Sequence, residues 1–250
     1  GVDRRARGAP GGCGARRRGG GPDAGVGAWV HDVLRFWKAR NVPVDCVSTH
    51  QYPTDACGKP GDETMAQLAA SSRSVLHDRA RRSNHQARGH PLYYTEWNTS
   101  SNPRDPLHDE PYAAAVIVKT MLEATGLVAG YSYWTFSDIF EENYFPSSPF
   151  HGGFGLLNLY NIAKPSYRAF ELLHALGTDL IGAWSDQHPT IDAWAVRRPE
   201  GLTIMLTNHA LPRHPIDTVH VRLRLDGAER PLSATLARTD ADHANPTAAW

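Results

Sequence analysis

The 250-residue chain is poor in cysteine, in net charge and in long apolar runs, and each shortage closes off a class of protein. Three cysteines (Cys13, Cys46 and Cys57) are too few and too odd in number for a disulfide-stapled fold. They suit a reducing compartment, and a cytoplasmic location is the expectation. Lys+Arg 26 against Asp+Glu 26 gives a formal charge of zero, so neither nucleic acid nor an anionic membrane surface is an expected partner. No apolar run approaches the ~18–20 residues of a membrane span. No His-Glu-x-x-His or Cys-x-x-Cys occurs, and His85, His90, His108 and His151 share no ligand spacing, so neither a metal nor another cofactor is expected. What the chain does have is 41% hydrophobic residues and seven tryptophans, enough for a sizeable core in one or two domains.

The first 22 residues stand apart. They hold Arg4, Arg5, Arg7, Arg16, Arg17 and Arg18 among eight glycines, with no period of 2 or 3.6. Such a segment buries too little apolar surface to offset its ordering entropy, and it reads as a disordered basic tail. From Gly27 onward the pattern is regular. Trp29, Val30, Val33, Leu34 and Trp37 repeat at helical spacing, and Val44 to Thr49 reads as a buried strand. A long helical stretch from about Glu63 to Ser83 leads to a second strand, Pro91 to Glu96. Pro111 suits the first turn of a helix carried by Ala113 to Leu127. Gly130 to Phe136 is a third strand, and Lys164 to Leu176 a further helix.

Strand–helix alternation with short returns is the signature of a parallel sheet wrapped by helices, with function at the C-terminal strand ends. After Gly177 the period changes to two. Val219, Val221, Leu223 and Leu225 alternate with polar residues, and Ile191 to Val196 and Leu202 to Asn208 behave similarly, predicting a small antiparallel β domain. The expected divisions are 1–22, 23–177 and 178–250. A complete eightfold barrel needs about 250 residues, so three strands amount to less than half of one.

Glu96 is the sharpest chemical candidate. It closes an apolar and aromatic strand and precedes Trp97-Asn98-Thr99-Ser100, whose stacking and hydrogen-bonding side chains suit a sugar. A carboxylate so placed can attack an anomeric carbon. Taken alone, a strand-end glutamate more often pairs with an arginine or caps a loop. His50 and Tyr52 end the preceding strand, where each could hydrogen-bond a carboxylate or a substrate hydroxyl. Trp134 ends the third strand, where core packing is the ordinary explanation for an aromatic. Glu141 and Glu142 form an acidic pair in the next loop, and His151-Gly152-Gly153-Phe154-Gly155 reads as a tight glycine turn.

Four ordered blocks together resemble glycoside hydrolase family 39, which contains β-xylosidases and α-L-iduronidases. They are Val44 to Pro53, Tyr93 to Ser100, Tyr133 to Glu142 and Phe150 to Leu156. The β-xylosidase branch is the more similar. The resemblance implies an α/β fold, the C-terminal half of a (β/α)8 TIM barrel followed by a partial antiparallel β-sandwich. It further implies retaining hydrolysis by two glutamates, with Glu96 at the nucleophile position. His50 and Tyr52 would line the pocket near it, Trp134 would be the sugar platform, and Glu141 and Glu142 would supply contacts to substrate hydroxyls. The implied partner is a small oligosaccharide or glycoside, with a homo-oligomer an option for the intact family member.

One departure matters. The family's general acid/base is the glutamate of an Asn-Glu-Pro segment, and no Asn-Glu-Pro occurs here. Asp109-Glu110-Pro111 is a decoy, because it follows the Glu96 strand and Pro111 opens a helix. The Arg/Gly-rich start resembles a disrupted or misread stretch where an earlier helix and strand should be. The chain alone is therefore expected to be catalytically incomplete, inactive and poorly stable. A non-catalytic sugar-binding protein and an α-L-iduronidase-like enzyme are the alternative readings.

Overall fold

A computed structural model describes residues 26–54, 61–140, 146, 148–182, 188–226 and 233–250. The Arg/Gly-rich segment expected to be disordered lies outside the described residues. The first part alternates helix and strand: α1 (Val26–Lys38), β1 (Val47–Gln51), α2 (Gly61–Ala69), α3 (Val75–Ala87), β2 (Leu92–Trp97), α4 (Pro111–Glu123), β3 (Gly130–Tyr133) and α5 (Pro165–Leu176). The three strands form one parallel sheet in the order β1-β2-β3. This is the expected α/β arrangement.

Two sequence expectations change here. The stretch expected as one helix from Glu63 to Ser83 is two helices, because serine side chains compete for the backbone between them. Ser71 Oγ donates to the Leu68 carbonyl at 2.7 Å, and Ser74 N donates to Ser72 Oγ at 3.1 Å. The third strand stops at Tyr133 rather than Phe136, because Thr135 N turns away to the Phe154 carbonyl.

One face of the parallel sheet is packed under helices. Leu92, Tyr94 and Trp97 of β2 are almost fully buried there, together with Val47, Leu76, Ala80, Ile117 and Ala169. The aromatic rings interlock edge to face: Tyr94 with Tyr131, Trp97 with Tyr133, and Tyr133 with Phe170 of α5. The opposite face carries Ser48, His50, Tyr93 and Glu96. The Tyr93 ring lies across Gly130 on that face, where a Cβ would sit only 3.0 Å from it.

The second part is an antiparallel sheet of β4 (Asp179–Leu180), β5 (Ile191–Arg198) and β6 (Gly201–Asn208). Val196 and Met205 from this sheet join the same core as the parallel sheet. A charged seam reinforces the junction. Arg73 donates to the carbonyls of Pro189 and Thr190 at 2.8 and 2.9 Å and pairs with Asp192, while Lys119 Nζ donates to Asp192 Oδ1 at 3.0 Å and pairs with Glu123.

Of the expected sandwich, the described residues form one antiparallel sheet of three strands. The strand expected over 219–225 is irregular instead. Its Val221, Leu223 and Leu225 are exposed, and among the described residues no partner strand lies against it to bury its apolar side. A short helix, α6 (Pro246–Ala249), returns to the first part, where Thr247 Oγ1 donates to the Asp109 carbonyl at 2.9 Å. Among the described residues no helix is long and apolar enough to cross a membrane.

Candidate active site

The site begins with a register shift. Thr49 pairs with Tyr94, but His50 pairs with Glu96, so Thr95 is an extra residue in β2. The β2–β3 ladder shifts at the same place, between Tyr94 and Trp97. A β-bulge re-aims the side chains beyond it. Without it Glu96 would share the helix-packed face of Leu92 and Tyr94. With it Trp97 takes the buried position, and Glu96 turns to the open face beside His50.

Two side chains from the first strand end hold the carboxylate. Tyr52 Oη donates to Glu96 Oε1 at 2.7 Å, and His50 Nδ1 lies 3.1 Å from Oε2. Burial by itself pushes the Glu96 carboxyl up, but the contacts from His50 and Tyr52 outweigh it and hold the group below its ordinary range. The side chain keeps 20% of its surface accessible, so the ionised group is both fixed and reachable. Three of the residues singled out from sequence, His50, Tyr52 and Glu96, therefore meet in one place.

Trp134 stands at the adjacent strand end. Its backbone N–H donates to the Trp97 carbonyl at 2.9 Å, and its ring packs edge-on to Phe140 with 5.0 Å between centroids. Glu141 and Glu142 lie outside the described residues.

The four residues after Glu96 differ from expectation. Trp97, Asn98, Thr99 and Ser100 are almost wholly buried, so they brace the site and do not face a ligand. Asn98 is the centre of that bracing. Its Oδ1 accepts from Tyr133 Oη at 2.9 Å and from Thr99 N at 2.6 Å, while its Nδ2 donates to the carbonyls of Trp134 and Phe154. One amide thus ties the ends of β2 and β3 to the glycine turn.

Beneath the turn lies a charged cluster that motif reading passed over. Lys164 Nζ sits 2.5 Å from Asp109 Oδ1 and 2.6 Å from Asp138 Oδ2, with all three residues buried, and donates to the Gly153 carbonyl at 2.9 Å. The remaining carboxylate oxygens accept from the turn itself: Gly152 N donates to Asp109 Oδ2 at 2.6 Å and Gly155 N to Asp138 Oδ1 at 2.7 Å. Gly153 and Gly155 are glycines because a Cβ at either would lie within 2.6 Å of Asp138. His108, fully buried next to Asp109, bridges the Gly152 carbonyl and Ser100 Oγ. Burial holds its imidazole well below the ordinary range.

A sequence signal for this cluster existed. Lys164 occupies the N-cap of α5, where the helix dipole favours anions, and a cation there implies partners. Glu110, by contrast, caps α4 with an exposed side chain that makes no capping hydrogen bond.

Comparison with known proteins gives a consistent grouping. The model of the family described as Glycosyl hydrolases family 39 matches residues 15–250. A "Beta-xylosidase" of Caldicellulosiruptor saccharolyticus is 44% identical over 233 residues, covering 92% of this chain and 48% of that protein. A "Beta-xylosidase" of Geobacillus stearothermophilus is 39% identical over 169 residues, covering 63% of this chain and 32% of that protein. The chain spans about half the length of the first relative and about a third of the second. Among solved structures, a GH39 β-xylosidase from Caulobacter crescentus superposes with a TM-score of 0.55 at 36% identity over 74% of this chain and 37% of that one. The GH39 enzyme from Xanthomonas axonopodis pv. citri gives 0.58 at 33% identity over 73% of this chain and 36% of that one.

Proposed function

The chain belongs to glycosyl hydrolases family 39, and from that premise we propose that Glu96 is the nucleophile of a retaining glycoside hydrolase acting on β-xylosides. The observation that carries this reading is the pair of contacts from His50 and Tyr52 to one accessible carboxylate at the parallel strand ends. An ionised Glu96 attacks the anomeric carbon as the glycosidic C–O bond breaks, and the aglycone departs. Water then cleaves the glycosyl ester. His50 and Tyr52 keep the carboxylate charged and oriented before the attack. Trp134 offers its indole to the C–H face of the sugar, and Glu141 and Glu142 contact its hydroxyls. The β-xylosidase names of the two curated relatives support xylose as the glycone.

Retaining hydrolysis needs a second, protonated carboxyl about 5–5.5 Å from the nucleophile. No Asn-Glu-Pro segment, which would carry it in this family, occurs in the 250 residues. On this reading residues 23–177 carry the nucleophile half of a barrel and residues 178–250 an accessory β portion. The chain alone is then inactive on xylosides whose aglycone needs a proton to leave, and only activated aglycones remain open to it.

Leaving-group dependence tests this. Glu96-dependent release of dinitrophenol from 2,4-dinitrophenyl β-xyloside is expected, with hydrolysis of xylobiose about 10²–10⁴-fold slower than in an enzyme that has its acid. Release that persists in Glu96→Ala would overturn the assignment. Rapid hydrolysis of xylobiose would overturn the claim of incompleteness. A second reading keeps His50, Tyr52 and Trp134 as the site of a sugar-binding protein without turnover. Calorimetry showing xylobiose binding, with no release from the activated substrate, would favour it.

A further inference from the structure

Lys164 touches neither His50 nor Glu96, yet it sits where the loops behind both converge. Its ammonium joins Asp109, from the loop after β2, to Asp138, from the loop after β3. Both carboxylates then grip the backbone of the glycine turn through Gly152 N and Gly155 N. The turn in turn touches the site at two points. The Phe154 ring packs against Tyr52 with 6.5 Å between centroids, and its carbonyl accepts from Thr135 N at 3.0 Å, next to Trp134. Tyr52 is the residue whose hydroxyl holds Glu96 Oε1.

We propose that Lys164 is a positioning residue for the Glu96 site, acting through the Asp109–Asp138 clamp and the Gly152–Gly155 turn to set the Phe154 ring behind Tyr52. The inference rests on Glu96 being the working carboxylate. The physical logic is a dry ion cluster serving as a rigid footing. Three buried charges with several short contacts have one low-energy arrangement, so the turn they hold cannot drift without breaking all of them at once. A neutral loop at this place would be free to move by fractions of an ångström. That much is enough to lengthen the 2.7 Å bond from Tyr52 to Glu96.

The readout is the titration of the Glu96 carboxyl in the 250-residue chain, followed by carbon NMR with carboxyl-labelled glutamate and assigned with Glu96→Gln. Tyr52→Phe removes a hydrogen bond to the charged form, so it raises the Glu96 pKa towards the ordinary range. Lys164→Met is expected to reproduce at least half of that rise. Phe154→Leu should do likewise, and combining it with Lys164→Met should add little, because both act on the same link.

Should Lys164→Met fail to fold, Asp138→Asn decides, since it loosens the tie to the β3 loop while leaving Lys164 paired with Asp109. An unchanged Glu96 titration in every variant that folds would overturn the proposal and reduce the cluster to a stabilising one. Trapping of a glycosyl ester reports separately on the nucleophile. A titration that shifts with no ester formed therefore condemns the catalytic reading and leaves the positioning intact.

Discussion

Two charge clusters in the interior of the described residues differ in what surrounds them. The Lys164 cluster is dry: the lysine and both aspartate side chains are almost entirely shielded, and backbone N–H groups of one glycine turn occupy the other carboxylate oxygens. The seam cluster of Arg73, Asp192, Lys119 and Glu123 is wetter, with about a fifth of the Arg73, Asp192 and Glu123 side chains accessible. Its partners are spread over α4, the turn between α2 and α3, and the antiparallel sheet. The first cluster fixes a short turn behind the site, whereas the second fastens a whole sheet to α4 and to the turn that leads into α3. Burial sets the stakes, because a dry ion that loses its partner has no water to turn to.

The largest contrast is expected from removing the lysine. Lys164→Met leaves two carboxylates buried side by side and should cost about 3–5 kcal/mol in urea unfolding. A loss under about 1 kcal/mol would mean that water reaches this cluster as readily as the seam.

The seam should instead reveal itself through acid. His209 sits 3.2 Å from Arg73, and burial together with the charges of Arg73 and Lys119 pulls its imidazole down to about 4. Its folded value lies below its unfolded one, so the unfolded chain binds the extra proton first. Stability is then full above about pH 6.5 and falls as pH drops towards 4, by up to about 3 kcal/mol. His209→Gln should flatten that part of the profile, and a slope that survives the substitution would assign it elsewhere.

A smaller effect is expected at the seam's shared carboxylate. Asp192→Ala deprives Arg73 and Lys119 of one partner, but Lys119 keeps Glu123 and Arg73 keeps two carbonyls. A loss of about 1–3 kcal/mol is expected, below that of Lys164→Met. The reverse order would dissolve the distinction between the two clusters.

The same contrast explains what could be read from the sequence. Period and turn chemistry located β1, β2, α4 and α5 to within a few residues, because each pattern has a local cause. The meeting of His50, Tyr52 and Glu96 was legible as well, since all three stand at the ends of neighbouring parallel strands. What escaped was long-range. Trp97 to Ser100 look like ligand-facing polar and aromatic residues, but the bulge at Thr95 turns Trp97 inward, and Asn98 spends its amide on three backbone groups. Lys164 and Asp138 are 26 positions apart in sequence, with nothing in their spacing to announce a pair. The alternating run at 219–225 predicted a strand, and it failed because a strand also requires a neighbour.

The central claim is that the carboxylate of Glu96 forms a covalent bond to sugar. Incubating the chain with 2,4-dinitrophenyl 2-deoxy-2-fluoro-β-xyloside, digesting it and mapping the adduct by mass spectrometry tests this most directly. One equivalent of sugar esterified to Glu96 is the predicted result. An adduct on any other carboxylate, or a Glu96 left unmodified, would contradict it.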